Sequence, residues 1–457
     1  MKPIVHPGAW GLHVKAAGEL ALGNHGLTGL ARRYGTPLHV INEKRLMKSA
    51  AAFREAAERS YPGPASVYYA MKCNSVPAVV DAVLRTGPGL EVMTEYELVL
   101  AIKLGCPPEK IIVNGPCKTG PFLEKCIDAR VRLVIVDSIS ELLMLDSLSR
   151  ARGCRRGVLL RVNPDFIPRG MNRGTATGSR RGCAFGLDLK AGEVGRALSL
   201  LAGLPGLNFQ GFHVHIGTGI RYPGDYARAL RCLEPLHQAA SAHGYPVRLL
   251  DVGGGFASPM TRELGTREFL LYQAFGRLPE NRAAQECGTP GAFASAVTDA
   301  VVKHFGPGEL PELLFEPGRC IASAAQFLLL TVHHVKERPG VGRWLIADGG
   351  LSTVTLPTFY EHHEVLLCND VCRPGSSRAT IIGPACFAGD VIYRNKLMPE
   401  VHPGEVIAVM DSGAYFTAME SSFGFPHPAI VAVNGATCRL VRTRETFDEM
   451  VSRDVFD

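Results

Sequence analysis

The chain has 457 residues, of which 46% are hydrophobic and 20% are charged, and its net charge is +6, a composition typical of a globular protein with room for two domains. The positive charge is not gathered into a basic run, which argues against nucleic-acid binding, and no apolar run approaches the about 20 residues of a membrane helix. The N-terminus lacks the apolar core of a signal peptide, and the thirteen cysteines show no CxxC or paired spacing, so we expect a cytoplasmic protein with reduced thiols.

Strands and helices alternate along the first two-thirds of the chain. Residues 37–41 (PLHVI) predict a strand, and residues 43–58 predict an amphipathic helix. Residues 66–72 (SVYYAMK) and 74–87 predict the next strand and helix, and similar units follow. Repeated units of this kind imply parallel strands joined by right-handed crossovers. We therefore predict a TIM-like (β/α)8 barrel over residues 43–325.

The pattern changes after the barrel. Residues 326–457 contain strand-like runs with little helix between them, which predicts an all-β domain that residues 1–42 complete. Two loops stand out, an insertion at 257–290 and the segment 165–182, which carries four arginines and four glycines. The arginines suit an anionic or carrier-bound substrate, and a solvated flexible loop is an equally good interpretation.

Lys72 is the most informative residue, because it ends an apolar strand in the stretch VYYAMKCN. A lysine that emerges into solvent at a strand end is ordinarily the commoner case. A partly desolvated amine with a lowered pKa instead suits Schiff-base chemistry. Five further motifs favour this second interpretation.

Two glycine-containing motifs indicate a phosphate site. GFHVHIGTG places His213 and His215 on one face of a strand. A metal pair needs a third ligand, and none is evident, so we predict no metal and favour an imidazole stacked on an aromatic cofactor ring. The turn at Thr218 and the loop DVGGGF (Gly253, Gly254 and Gly255) offer backbone amides to an anion.

Three motifs supply the remaining chemistry. FEPGRC carries Glu316 and Arg319, which suit a ring nitrogen and a phosphate or carboxylate, although a surface ion pair would look the same. GPACFAGD presents Cys386 in a turn, and DSGAY presents Tyr415 after a strand. Most cysteines and tyrosines are packing residues. Together the motifs predict an enzyme that binds pyridoxal 5'-phosphate.

In this order, over nearly the whole chain, the motifs resemble the fold-type III pyridoxal-phosphate decarboxylases, the family of diaminopimelate, ornithine and arginine decarboxylases. The resemblance implies an alanine-racemase-type barrel with a C-terminal β domain, a homodimer that shares its active sites, and a mobile lid at 165–182. Lys72 resembles the Schiff-base lysine, and Cys386 resembles the proton donor that reaches across the dimer. The remaining cofactor contacts that the resemblance implies are His215 on the ring, Glu316 at the ring nitrogen, and Thr218, Gly253, Gly254, Gly255, Gly318, Arg319 and Tyr415 at the phosphate.

Glu91 stands where the family usually has an Asp, whereas Glu97 matches a usual Glu. The chain also departs from the family where the distal end of the substrate is expected. Phe387 and Ala388 follow the cysteine, where diaminopimelate decarboxylases have Glu-Ser. Leu356 replaces an arginine that would pair with a distal carboxylate. The predicted substrate contacts are Arg319, Tyr360, Cys386, Phe387 and Asp390.

These departures lead to a hypothesis about the substrate. Losing the designed partners of a buried charge costs several powers of ten in discrimination. We therefore expect α-decarboxylation of an amino acid, or of an amino-acid conjugate that is possibly carrier-tethered, in a specialised siderophore or secondary-metabolite pathway. The alternatives are a meso-diaminopimelate decarboxylase of lysine biosynthesis, an amino-acid racemase and a non-catalytic homologue. Glu316 argues against the racemase, which would pair the ring nitrogen with an arginine.

Overall fold

A computed structural model describes residues 6–171, 173–174, 176–276, 287–306, 308, 310–355 and 361–456. The strands of this part of the chain are β1 His13–Val14, β2 Leu20–Leu22, β3 His25–Gly26, β4 Leu38–Asn42, β5 Ala65–Ala70, β6 Gly89–Val92, β7 Ile111–Val113, β8 Leu133–Val136, β9 Arg156–Asn163, β10 Leu187–Asp188, β11 Leu207–His213, β12 Leu249–Asp251, β13 Arg262–Glu263, β14 Glu312–Phe315, β15 Gln326–Arg338, β16 Gly342–Ala347, β17 Glu361–His362, β18 Val365–Leu367, β19 Gly375–Ile382, β20 Val391–Pro399, β21 Val406–Val409, β22 Ala429–Asn434 and β23 Thr437–Arg442.

The α-helices are α1 Leu27–Tyr34, α2 Glu43–Ser60, α3 Pro77–Leu84, α4 Glu95–Lys103, α5 Gly120–Asp128, α6 Ile139–Ala151, α7 Glu193–Leu201, α8 Gly224–Ala229, α9 Leu233–Ala242, α10 Thr266–Phe275, α11 Pro290–Phe305, α12 Arg319–Ala322 and α13 Phe447–Met450. Among the residues that the structure describes, no helix is long and apolar enough to cross a membrane. The chain forms two compact units. One comprises Ser49–Pro259 and Gln285–Ile321, and the other comprises Met1–Lys48, Met260–Ala284 and Ala322–Asp457.

The first unit is a closed parallel barrel. Eight strands pair in the order β9-β11-β12-β14-β5-β6-β7-β8, and β8 returns to β9 to close the ring. Apolar side chains from alternate positions, such as Tyr68, Ile112 and Leu159, fill its interior, as is typical of small barrels. The predicted (β/α)8 fold is therefore confirmed. Lys72 is displaced slightly from its predicted place, since β5 ends at Ala70 and Lys72 lies in the following 3-10 turn.

Two arginines of the arginine-rich segment 165–182 anchor it to the barrel unit. Arg169 Nε lies 3.0 Å from Oδ1 of the buried Asp225, and Arg180 forms an ion pair with Asp188. The Arg169 guanidinium also stacks 4.2 Å above the Tyr222 ring. These two side chains are therefore engaged within their own unit, and the predicted lid or docking role of the segment stays a prediction.

The second unit contains the predicted all-β fold, which is confirmed. The long strand β15 pairs antiparallel with β4, β16 and β21, and β4 pairs parallel with β22. The N-terminal segment 38–42 thus lies inside a sheet built mainly from C-terminal strands. Phe327 and Leu329 pack into one apolar cluster, and Leu328 and Leu330 pack into another. Because side chains alternate along a strand, this sheet is buried on both faces.

Asp411 is a buried acid whose replacement is expected to stabilise the β unit. Its Oδ2 accepts a hydrogen bond from Trp10 Nε1 at 2.9 Å, and its φ is +60°. Burial raises the pKa of Asp411 to about 6, whereas an exposed Asp titrates near 3.9. The folded state therefore binds more protons than the unfolded state between these values, and the free energy of unfolding falls as pH rises through this range.

Asp411→Asn keeps an acceptor for Trp10, tolerates the left-handed backbone and removes the buried charge. We expect the free energy of unfolding to rise by about 3 kcal/mol at pH 8 and to change little at pH 4. Both tryptophans, Trp10 and Trp344, lie in the β unit, so urea unfolding followed by tryptophan fluorescence measures it. Asp454→Asn, at an exposed position, is the control. A gain that is the same at both pH values would contradict the assignment of a buried charge.

Candidate active site

Each of the eight barrel strands carries a polar side chain at, or just beyond, its C-terminal end. Parallel strands place all these ends at one face of a barrel. Seven of the side chains are buried, and Lys72 is half-buried. In strand order around the ring from β5 they are Lys72, Glu91, Asn114, Asp137, Arg161, His213, Asp251 and Glu316.

Lys72 and Glu91 form an ion pair across β5 and β6. The Lys72 side chain is 31% exposed and that of Glu91 only 1%. Burial raises the pKa of Glu91 to about 7, although the nearby Lys72 opposes the shift. Glu91 can therefore exchange a proton with its neighbour near neutral pH. The longer side chain at a position where the family usually has Asp still reaches the lysine.

Glu316 lies in a cluster with His213, Asp251 and Asn114. Burial opposes ionisation of Glu316, but the adjoining His213 and Lys72 lower its pKa to about 2. Burial and the charge of Glu316 raise the pKa of Asp251 well above its usual range. The cluster therefore concentrates one negative charge on Glu316.

Ligand atoms of His213, Asp251 and Glu316 lie within 4.8 Å of one another. This donor set would suit a metal ion as well, and the sequence analysis had found no third ligand for the histidines. The His213 and His215 rings are stacked, with centroids 6.4 Å apart and planes inclined by 24°. His215 lies two residues beyond the end of β11. It is not one of the three residues whose ligand atoms lie together.

The loop Gly253–Gly255 is held tightly against its neighbours. A Cβ on Gly254 would lie 2.1 Å from the carbonyl oxygen of Glu316, and a Cβ on Gly255 would lie 2.0 Å from that of Gly217. The Gly254 amide donates to His215 Nδ1 at 3.1 Å, and the Gly253 amide donates to Asp251 Oδ1 at 2.8 Å. These two amides, predicted as phosphate donors, are therefore already used by side chains in this conformation.

A family model described as "Pyridoxal-dependent decarboxylase, pyridoxal binding domain" matches residues 46–323, which is more than half of the chain. The chain belongs to the pyridoxal-dependent decarboxylases. The diaminopimelate decarboxylase of Actinosynnema pretiosum subsp. auranticum is 32% identical over 462 residues, which cover 99% of this chain and 97% of that protein.

An archaeal relative also matches over most of the chain. The diaminopimelate decarboxylase of Methanocaldococcus jannaschii is 28% identical over 433 residues, which cover 93% of this chain and 92% of that protein. The crystal structure of diaminopimelate decarboxylase from M. jannaschii superposes with a TM-score of 0.87, at 26% identity and with 99% of both chains covered. The predicted cofactor, pyridoxal phosphate, and the predicted reaction class, amino-acid decarboxylation, are confirmed. The racemase and scaffold alternatives are disfavoured.

The barrel end of this decarboxylase fits its cofactor. Among the described residues, Glu91 Oε1 and His213 Nδ1 are buried without a hydrogen-bond partner, as expected where a polar ligand binds. A Cβ on Gly318 would lie 2.9 Å from that of Cys73. This contact packs the segment that carries Arg319 closely against the segment that carries Lys72. Thr218 lies half-buried in the loop beyond His215, and the backbone N–H of Ile220 in that loop donates to the carbonyl oxygen of Gly255 at 2.8 Å.

The other predicted site residues of the decarboxylase lie in the β unit. Cys386 is exposed, and Tyr415 is half-buried with a φ of +67°. The Asp390 carboxylate accepts backbone N–H groups of Leu351 and Ala385 at 2.6 and 2.8 Å. Asp390 therefore holds the turn that carries Cys386. The roles of these residues toward cofactor or substrate stay predictions.

Two predicted positions of the substrate side and Glu97 remain. Leu356 and Tyr360 lie outside the described residues. Glu97 Oε2 accepts the Met93 backbone N–H at 2.7 Å, and the Glu97 backbone N–H donates to Thr94 at 3.1 Å, so Glu97 caps the start of α4.

The sequence analysis missed Asn114, Asp137, Arg161 and Asp251. Asn114, Asp137 and Asp251 end or directly follow a buried strand, which was the available signal, and Arg161 lies two residues before the end of β9.

Proposed function

We propose that the substrate is meso-diaminopimelate, which loses one α-carboxylate to leave lysine. The observation that carries this proposal is that the full-length relatives bear the name diaminopimelate decarboxylase. The barrel-end cluster supports the chemistry, because Lys72 and Glu316 are present with partners of suitable charge.

The roles of the barrel residues follow from their environments. When bound, pyridoxal phosphate supplies an electron sink for the pair of electrons that CO2 leaves behind. Lys72 would hold the cofactor, and Glu91 would take up or return a proton at the Lys72 amine. Glu316 would keep the ring nitrogen protonated, since it is the ionised member of its cluster. Thr218, Gly318 and Arg319 would serve the phosphate.

Cys386 would complete the reaction. The bond between Cα and the carboxylate breaks, CO2 leaves, and a proton must then be added at Cα in place of the lost group. The Cys386 thiol is exposed on the turn that Asp390 holds, so it can supply that proton to a site outside its own turn. We propose that this site belongs to the second copy in a homodimer.

A second candidate substrate is an amino acid whose distal end is apolar, amidated or conjugated. Phe387, beside Cys386, is 52% exposed, and its ring centroid lies 6.3 Å from that of Phe423, which is 56% exposed. An exposed aromatic pair at this point favours an apolar partner and offers no countercharge to a distal carboxylate.

Mass-spectrometric detection of CO2 loss across a panel of amino acids and conjugates distinguishes the two candidates. We expect meso-diaminopimelate to yield lysine, and Lys72→Ala to yield none. Turnover only of amidated, conjugated or apolar amino acids would overturn the first proposal and support the second.

Phe387→Glu tests the second proposal. If the native substrate has an apolar or conjugated distal end, the new carboxylate should raise kcat/KM for meso-diaminopimelate about tenfold relative to the native substrate, because it pairs with the distal amine. Phe423→Glu, which places the same charge on the neighbouring ring position, is the control. Equal effects of both variants would show that Phe387 has no specific contact with the substrate.

A further inference from the structure

Asn114, to which the sequence analysis assigned no role, connects three strand ends of the barrel. It follows β7 directly and is only 5% exposed. Its Nδ2 lies 3.2 Å from Glu316 Oε1 and 3.2 Å from His213 Nε2. Its Oδ1 accepts the Gly115 amide at 2.8 Å and faces Arg161 Nη1 at 3.5 Å.

These contacts fix the orientation of the amide. Arg161 and the Gly115 N–H are donors only, so the oxygen of Asn114 must face them and the NH2 group must face Glu316 and His213. One hydrogen of this NH2 group faces His213 Nε2 at 3.2 Å. The remaining hydrogen of Asn114 then points to the Glu316 carboxylate.

The loop after Asn114 is also held rigidly. Lys118 Nζ lies 2.9 Å from Glu141 Oε1, and the Lys118 side chain is fully buried. The same amine donates to the carbonyl oxygen of Gly115. The backbone N–H of Asn114 donates to the carbonyl oxygen of Val92 at 2.9 Å. Neither the backbone nor the side chain of Asn114 can turn without breaking buried hydrogen bonds, whose loss is costly.

We propose that Asn114 is a positioning residue that aims the Glu316 carboxylate at the ring nitrogen of the cofactor. This inference rests on the proposed role of Glu316 and does not depend on the identity of the substrate. Without Asn114, Glu316 would keep its charge and its contact with His213 at 3.6 Å but lose a donor that sets its orientation. The hydrogen bond to the ring nitrogen would then weaken, and the phosphate and lysine contacts would remain.

The test compares two cofactors. Pyridoxal 5'-phosphate has the ring nitrogen, and 1-deazapyridoxal 5'-phosphate has a C–H group in its place. We expect Asn114→Leu to weaken binding of the first to the apoprotein about tenfold, the effect of one hydrogen bond to a charged group, and to leave binding of the second unchanged. Dissociation constants are measured by absorbance titration, so no substrate is needed.

Asn163→Leu is the matched control. Asn163 is also 5% exposed and ends β9 at the same face, but its amide bonds to the carbonyl of Phe185 and the amide of Asp165. The Asn163→Leu substitution should change the dissociation constants of the two cofactors equally or not at all. Asn114→Ala, which introduces no bulk, replaces Asn114→Leu if that variant fails to fold.

Equal weakening of both cofactors by the Asn114 variants would overturn the positioning role and leave only a structural one. If Glu316→Gln also failed to distinguish the two cofactors, the role of Glu316 itself would be wrong. Both titrations measure only cofactor binding, so their results do not depend on whether the substrate proposal is right.

Discussion

Replacing Lys72 by alanine is expected to abolish decarboxylation and to remove the visible absorption band of the covalently bound cofactor. Lys72 is the lysine that follows β5 at the barrel face where the acids and amides converge. A covalent role cannot be taken over by a noncovalent contact. Turnover should therefore fall by several powers of ten, as measured by CO2 release and absorbance of the reconstituted protein.

Lys72→Arg separates the covalent role from the charge. The guanidinium keeps an ion pair with Glu91 but cannot bond covalently to the cofactor at neutral pH. We expect this variant to lose activity and the absorption band as completely as Lys72→Ala. A variant that kept the band would show that another lysine holds the cofactor, and Lys118, which is buried beside Glu141, would be the next to replace.

Mixing the Lys72→Ala and Cys386→Ala proteins is expected to restore activity far above that of either protein alone. If the two residues meet across a homodimer, subunit exchange produces hybrids in which one of the two sites has both native residues. Random exchange makes about half of the dimers hybrid, so about a quarter of the native activity should return. The measurement is CO2 release after the two proteins are mixed and equilibrated.

Cys372→Ala is the control for this experiment, because Cys372 is also an exposed thiol of the β unit. It should retain activity before mixing. Mass measurements can show that mixed dimers have formed. If the activity nevertheless stays near zero, Cys386 acts in the site of its own chain or lies outside the reaction. Cys386→Ala alone should still release CO2 slowly if water can supply the proton.

Much of the barrel could be predicted because its signals are local. The runs that became β6 and β7, LEVMT and KIIVNG, are short and apolar and are bounded by polar residues and glycine. Lys72, Glu316 and the glycine loop each sit beside such a run, so their placement at the barrel face followed from strand ends alone. The β unit was predictable for the same reason, since its strand-like runs follow one another with little helix between them.

Other parts of the site depend on contacts between distant segments. Asn114 and Glu316 are 202 residues apart in the chain, and Asn114 and Arg161 are 47 apart. In sequence, each of these residues looks like an ordinary strand end. The use of the Gly253 and Gly254 amides by Asp251 and His215 was equally invisible.

The sequence by itself determined the kind of chemistry, because the reactive residue types and their order along alternating strands and helices are local properties. The tertiary structure decided which of those residues interact, which carboxyl carries the charge and which amides are already used. The physical reason is that closure of the eight strands brings side chains together in a buried ring. There, desolvation and neighbouring charges set each pKa, and no local pattern records those neighbours.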